Sequence, residues 1–590
     1  MHRRGTGESG NRGIGEINAQ GNNCSFRLFV LFSLAALILF SDLSTPAFMD
    51  HEGRYAEVAR EMLLNGDWII PHLNFVPFLN KPPLPYWLTA AAFLVVGPSE
   101  YARFWPAVTG LLLLGVVMLL GRAIAGRRAG LYAGVVLLTS GGFFLESRLL
   151  RPDLLLTLLL SLALLCFLNA VEAEEGARKK ECNVWVVLGV ASLSVSVMTK
   201  GLVDVVLAGG IIVGVLFWCG RLSFLRKITW PWALATAFVI VLPWHLLAGL
   251  RQEGFWWDYV VNQHLLFFFD EKFPRDSLPD SLPVFWGAFL GRVFPWSACL
   301  PIAFLWAMKR GWAARSPRST LLPLWPIVVM GFFSLSPSRL EHYSIPALPA
   351  ASLLVGCWWS HLSEPESSRS WSVFITPVLF GIVGLLGFAF APLLLGAEEW
   401  TQQFPVLVRL LRLVCGVMCV AGILAGIFLW KGFPYVAFVV IAAVALPVFW
   451  GTHQALTAIE PINSWKPVGM KLAAILPPDG EAIFAASDEY QICGGLNFYS
   501  KKPLSILLPD GYIPPTYLTL GHGPFLTSAE FLARWQSERP VVLITDPERR
   551  DVNSVLASLS SFVKIARWGG RRMVGNRAFA ERMDLVADSH

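Results

Sequence analysis

Apolar runs about twenty residues long recur through most of this sequence, and about twenty helical residues are what the hydrocarbon core of a bilayer requires. We place about thirteen such runs, at roughly 27–44, 103–121, 129–147, 154–171, 184–199, 202–219, 230–248, 284–308, 320–337, 343–361, 371–395, 405–429 and 434–450. Composition agrees: 15% of the 590 residues are charged and 55% are hydrophobic, against about a quarter charged in soluble domains. The net charge of +6 does not read as a nucleic-acid surface once it is placed along the chain. With the N-terminus inside, the inner loops collect Arg122, Arg127 and Arg128, then Arg178, Lys179 and Lys180, then Arg221, Arg226 and Lys227, then Lys309, Arg310, Arg315 and Arg318. That is the positive-inside pattern of a polytopic membrane protein.

Three regions follow. Residues 1–26 are polar, rich in Gly and Asn, and read as a disordered cytoplasmic tail. Residues 27–450 form the membrane domain, with outer loops at 45–102, 148–153 and 249–283. Residues 451–590 alternate strand-like runs (Glu481–Ala486, Leu504–Leu508, Val541–Thr545, Phe562–Ala566) with helical stretches such as Ser528–Glu538, and read as a soluble extracytoplasmic α/β domain. The first apolar run has basic residues before it but no small-residue cleavage site after it, and reads as an anchor. Nine cysteines are scattered, most inside apolar runs, without disulfide or zinc spacing.

The first outer loop opens on Asp50-His51-Glu52-Gly53-Arg54-Tyr55. Tyr55, Val58, Ala59, Met62 and Leu63 fall on one helical face and charges on the other, so an amphipathic helix on the membrane surface is expected, stopped at Asn65-Gly66. Asp50 at its head reads either as an N-cap or as a working carboxylate. Asn80-Lys81-Pro82-Pro83 opens a second segment, whose Lys81 either snorkels to lipid phosphate or binds a ligand. Asp153 precedes a span and reads as a cap or as a partner of Arg151. Lys200 lies four residues before Asp204, which allows an i,i+4 salt bridge. A charge at membrane depth otherwise costs about 2.5–3.5 kcal/mol and tends to be functional. His264 sits among interfacial aromatics, and Ser336-Pro337-Ser338-Arg339-Leu340-Glu341-His342-Tyr343-Ser344-Ile345-Pro346 joins two spans.

Asp50-His51-Glu52-Gly53-Arg54-Tyr55, Gly66-Asp67-Trp68, Pro71-His72-Leu73-Asn74 and Asn80-Lys81-Pro82-Pro83-Leu84 with Trp87 together resemble the first periplasmic loop of the GT-C glycosyltransferase superfamily. That superfamily contains the protein O-mannosyltransferases and the lipid A aminoarabinose transferase. The resemblance implies an all-α polytopic GT-C fold followed by the outer α/β domain. It implies Asp50 as the catalytic carboxylate with Asp153 as the second. It also implies Arg54, Tyr55, Lys81, Lys200, His264, Arg339 and Tyr343 as ligands of the carrier phosphate or sugar. The sequence departs from the lipid A transferases at Asn80, where they tend to carry a glutamate associated with metal. A divalent metal is thus left open, with Glu52 and His264 as candidate ligands.

The activity implied is transfer of a sugar from a polyprenyl (undecaprenyl-type) phosphate donor to an extracytoplasmic glycolipid, glycan or protein acceptor, with inversion at the sugar carbon. Lysine and arginine would stabilise charge on the departing phosphate, and a carboxylate would orient or deprotonate the acceptor. The protein would sit among membrane lipids of a bacterial-type inner membrane, active side to the periplasm, with no role for nucleic acid. A transporter or flippase of lipid-linked sugars is the rival reading, since it too needs many spans and buried charges. No internal repeat supports it. A structural scaffold leaves the first-loop motifs unexplained.

Overall fold

The computed structural model describes residues 26–273, 279–364, 374–394, 404–487, 490–509, 524–547, 551–557 and 561–584, with single positions at 511, 549 and 559. Among them, eight helices are long and apolar enough to cross a membrane, and a bent pair, Leu282–Val293 with Trp296–Ala314 at 104°, would make a ninth. Shorter apolar helices span Phe26–Phe40, Leu84–Val96, Val203–Trp218 and Ile375–Ala389. Each expected span contains helix in its described part, and the 129–147 and 284–308 spans are broken where they meet each other. The 129–147 segment divides into Arg127–Leu138 and Gly141–Glu146. There Thr139 and Ser140 turn their hydroxyls back onto the carbonyls of Val135 and Val136, a local bond that competes with helix propagation. The Gly141 amide donates instead to the carbonyl of Phe294 (2.9 Å), and Trp296 Nε1 donates to Thr139 Oγ1 (2.9 Å). The two broken spans thus satisfy each other's loose backbone.

The last apolar helix runs Pro434–Asn463, past the expected end of the span. Beyond it lies a six-stranded sheet of β3 (Glu481–Ala485), β4 (Ser505–Leu507), β5 (Phe525–Leu526), β6 (Val541–Thr545), β7 (Val563–Trp568) and β8 (Arg571–Gly575). The order is β5-β4-β3-β6-β8-β7. β5, β4, β3 and β6 are mutually parallel, and β8 pairs antiparallel with β6 and β7. All five residues of β3 and of β6 are buried, as expected for central parallel strands covered on both faces.

The helix Asp50–Asn65 does not lie with its charged face toward water. Glu52, Glu57 and Glu61 are each at most 1% exposed: the helix Cys493–Ser500 of the C-terminal domain packs on the side of Glu57 and Glu61, and Glu52 is enclosed by Arg103 and Leu150. A Cβ on Gly53 would come within 2.5 Å of Gly495 Cα, and one on Gly494 within 2.7 Å of Arg54 Cα, so these glycines permit backbone-to-backbone approach. Glu57 is held by Arg60 through two bonds (2.6 and 2.7 Å). Burial and the neighbouring Glu57 push the Glu61 carboxyl up to about 8.

The His72–Leu73 and Val76–Pro77 strands (β1 and β2) form a hairpin turned by Asn74 (φ 56°) and Phe75 (φ 63°). The Asn74 and Phe75 amides donate to the Glu61 carboxylate (2.7 and 2.9 Å). The Asn74 side chain donates to the Leu504 carbonyl (2.8 Å) and accepts from the Leu504 amide (2.9 Å) and Asn497 Nδ2 (2.8 Å). Asn74→Gly keeps the left-handed turn and deletes these bonds, leaving buried partners unsatisfied at about 1–3 kcal/mol each. Amide exchange in β4 and in Cys493–Ser500 should then quicken at least about tenfold. Unchanged protection would show that Asn74 does not hold the dock.

Candidate active site

Asp153 and Lys200 lie at the same end of two packed helices, Asp153–Glu175 and Lys179–Lys200. Asp153 occupies the first helical position and makes no capping bond. Its carboxylate accepts from Lys200 Nζ at 2.5 Å instead, with side-chain exposures of 5% and 12%. The expected i,i+4 pair of Lys200 with Asp204 does not form: Asp204 Oδ2 accepts from Ser196 Oγ at 2.5 Å. A third element completes the group, since the Lys200 ammonium stands 4.7 Å from the Tyr343 ring centroid. A buried cation on an aromatic face and one carboxylate is well placed to receive a second anion.

His264 holds the turn that carries Lys200. Gly201, at φ +84°, leaves no room for a Cβ, which would fall 2.1 Å from His264 Nε2. That nitrogen accepts from the Leu202 amide (3.3 Å), and Nδ1 lies 2.5 Å from the Tyr259 carbonyl. These partners fix the neutral Nδ1–H tautomer, and burial, together with the positive charge of Lys81, holds the His264 pKa below its usual value. Lys81 is therefore close to His264, itself against the Lys200 turn. Gln263, beside it, donates to Asn80 Oδ1 (3.2 Å).

The 336–343 segment is tied to the same loop. Ser336 Oγ donates to the Phe268 carbonyl (2.9 Å) and Ser338 Oγ to that of Phe267. Arg339 does not face Lys200 through any bond. Its guanidinium donates to the carbonyls of Asp280 (3.1 Å) and Ser334 (3.4 Å), and Nε is buried without a partner. Of the three expected phosphate cations, Lys81 is within electrostatic reach of His264, which lies against the Lys200 turn, while Arg339 braces the neighbouring backbone.

On the first-loop side, Tyr55 stacks on Tyr86 with centroids 5.6 Å apart. Burial raises its hydroxyl pKa to about 12, with Arg54, Asp153 and Arg151 close enough to act on it. Arg54 donates to Gln491 Oε1 (2.7 Å) and lies 2.7 Å from His51 Nδ1. Asp50 is the first helical residue and Met49 the N-cap. The side chain of Asp50 lies outside the described residues.

Glu52 has no capacity for a metal. Oε1 accepts from Arg103 Nε (2.8 Å) and the Leu150 amide (2.8 Å); Oε2 accepts from Arg103 Nη2 (2.7 Å) and the Met49 amide (3.2 Å). Four bonds fill a carboxylate's lone pairs. Arg103 also donates to the carbonyls of Leu43 and Pro46, so the pair clamps the chain before the helix. Both ring nitrogens of His264 are likewise engaged with backbone. Among the described residues no group of three or more His, Cys, Asp or Glu could hold a metal ion. The two candidate ligands, Glu52 and His264, do not fit one.

Sequence reasoning missed His342, which lies within electrostatic reach of Asp153, Lys200, Arg151 and His51. Its adjacency to Tyr343 was the available signal. It also missed Gln491, whose polar surroundings in the C-terminal domain give no sign of where it docks.

Residues 26–259 match the family described as dolichyl-phosphate-mannose-protein mannosyltransferase. The undecaprenyl phosphate-alpha-4-amino-4-deoxy-L-arabinose arabinosyl transferase of Pectobacterium carotovorum is 29% identical over 412 residues, covering 67% of this chain and 69% of the relative. The protein of the same name from Pseudomonas savastanoi is 30% identical over 318 residues, covering 53% and 57%. The crystal structure of ArnT from Cupriavidus metallidurans bound to undecaprenyl phosphate superposes with a TM-score of 0.78 at 24% identity, covering 93% of this chain and 98% of that one. First-loop motifs, relatives and fold point the same way: the chain resembles the GT-C polytopic membrane glycosyltransferases, being similar in sequence to the arabinosyl transferases over 67% of its length and sharing the ArnT fold over 93% of it.

Proposed function

We propose that this transferase moves a sugar of the 4-amino-4-deoxy-arabinose class from undecaprenyl phosphate to an acceptor on the periplasmic side of the inner membrane, lipid A being the first candidate and other envelope glycans or protein hydroxyls the alternatives. The observation that carries the reading is the buried Lys200, set between Asp153 and the Tyr343 ring with Lys81 nearby. The names of the relatives support the donor and sugar. In the reaction the bond from the sugar's anomeric carbon to the phosphate oxygen breaks, and the electron pair leaves on the lipid phosphate. Lys200 and Lys81 stabilise that charge. The acceptor oxygen attacks the opposite face, and a hydroxyl acceptor gives its proton to a carboxylate, for which Asp50 is proposed. Tyr55 and Arg54 would line the sugar side. Asp153 holds the Lys200 ammonium in place.

The reading predicts that purified protein in nanodiscs converts lipid A and undecaprenyl-phosphate aminoarabinose into glycosylated lipid A, with release of undecaprenyl phosphate in equal amount. Mass spectrometry of both products checks it. Transfer from another polyprenyl-linked sugar alone would correct the sugar; no transfer from any such donor to any envelope acceptor would sink the reading.

A further inference from the structure

Gln491 sits in the short turn Tyr490–Ile492 ahead of the Cys493–Ser500 helix and is 6% exposed. Its amide oxygen accepts from Arg54 Nη1 at 2.7 Å and from Asn80 Nδ2 at 2.9 Å. Asn80 Oδ1 accepts in turn from Gln263 Nε2 at 3.2 Å. One oxygen of the C-terminal domain thereby joins two motif residues of the first outer loop, and through them the helix that carries His264. The dock does not depend on this oxygen, being already made by Gly53 against Gly495, by Asn74 on Leu504, and by Ser464 Oγ on the Phe48 carbonyl (2.7 Å).

We infer that Gln491 is a positioning residue by which the C-terminal domain sets Arg54 and the Asn80-Lys81 pair at the donor phosphate, so that the transferase site is incomplete without that domain. The inference rests on the proposed lipid-phosphate donor. An amide oxygen has two lone pairs, and here two donors from different stretches of the loop use both. The bond to Arg54 is charge-assisted and directional. Without the acceptor, Asn80 loses one of the bonds that orient its side chain, the one to the C-terminal domain, and Lys81 follows Asn80 along the backbone. A displacement of about 1 Å at a positioning group costs up to about 10²-fold in rate.

Full-length protein in nanodiscs, probed with undecaprenyl phosphate, separates positioning from simple docking. Q491L removes the acceptor at similar volume, and Q491E keeps an acceptor for both donors. Q491L is expected to weaken undecaprenyl phosphate binding about tenfold and to lower kcat for the lipid-linked sugar, with amide exchange in Cys493–Ser500 as in wild type. Q491E is expected to stay within about threefold of wild type in binding, because its carboxylate still accepts from Arg54 and Asn80. Wild-type binding and turnover in Q491L would overturn the role, as would Q491E failing as badly as Q491L. Lost binding accompanied by rapid exchange in Cys493–Ser500 would make Gln491 a docking residue and overturn it too. Wild-type protein that does not bind undecaprenyl phosphate would overturn the donor reading itself; wild-type binding matched by Q491L overturns this role alone.

Discussion

Lys200→Met should lower kcat/KM for the lipid-linked sugar by about 10²–10³-fold, the usual loss when one group stabilising a developing oxyanion is removed. The substitution keeps an unbranched apolar stem of similar length and deletes only the ammonium. It also leaves Asp153 as a buried carboxylate without its cation, and breaking such a pair costs about 3–5 kcal/mol. Loss of activity alone would therefore be ambiguous, because a destabilised protein is also a slow one. The double variant Lys200→Met/Asp153→Asn resolves this. It has no uncompensated charge, so its thermal midpoint should recover most of what Lys200→Met loses, while its activity stays low. A double variant that regains both would make the pair a structural brace. If Lys200→Met turns over at the wild-type rate, the phosphate site lies elsewhere and Lys81 becomes the leading cation.

The pair also shows where sequence reasoning reaches its limit. Lys200 and Asp153 were each legible as charges at span ends, where an isolated charge is expensive. Their pairing was not, because Asp204 offers a local partner at i,i+4 and the residue that wins comes from the preceding helix, 47 positions away. The spans were legible because a twenty-residue apolar run has few alternatives, but the breaks at Thr139–Gly141 and Phe294–Trp296 were not, since each is stable only against the other. The helix Asp50–Asn65 carries the same lesson in a different form. Its period predicted an apolar face on lipid and a charged face in water, and the charged face proved buried. Glutamates on a helix read as solvated unless what covers them is known: here Glu52 pairs with Arg103, 51 positions on, Glu61 accepts from the Asn74–Phe75 turn, and Cys493, more than 400 residues further on, lies close to Glu57 and Glu61. Part of the first-loop motif is accordingly a docking surface: Gly53 and Asn74 meet the C-terminal domain, whereas Tyr55 lies within electrostatic reach of Asp153 and Lys81 of His264.

Asp50→Asn should reduce transfer to a hydroxyl acceptor by about 10²–10⁴-fold, the range that general acid–base catalysis supplies, with little change in stability. The structure narrows the competing explanation. As first helical residue behind an N-cap at Met49, Asp50 is not needed to cover the Met49 amide, which Glu52 already accepts (3.2 Å). The favourable charge of a carboxylate at a helix N-terminus is worth about 0.3–1 kcal/mol, which sets the stability change expected if Asp50 is only a helix-terminal charge. The helix beyond is fixed independently by the Glu52–Arg103 pair and by Gly53 on Gly495, so the backbone that presents position 50 should survive the change. The loss should appear in kcat at saturating donor, because the Lys200 end of the site is untouched and donor affinity should hold within about threefold. Equal loss of donor affinity would place Asp50 on the carrier instead of the acceptor. A stable Asp50→Asn protein with near-normal kcat would reduce Asp50 to a helix-terminal charge and move the catalytic carboxylate to Asp153, whose bond to Lys200 would then have to open during turnover.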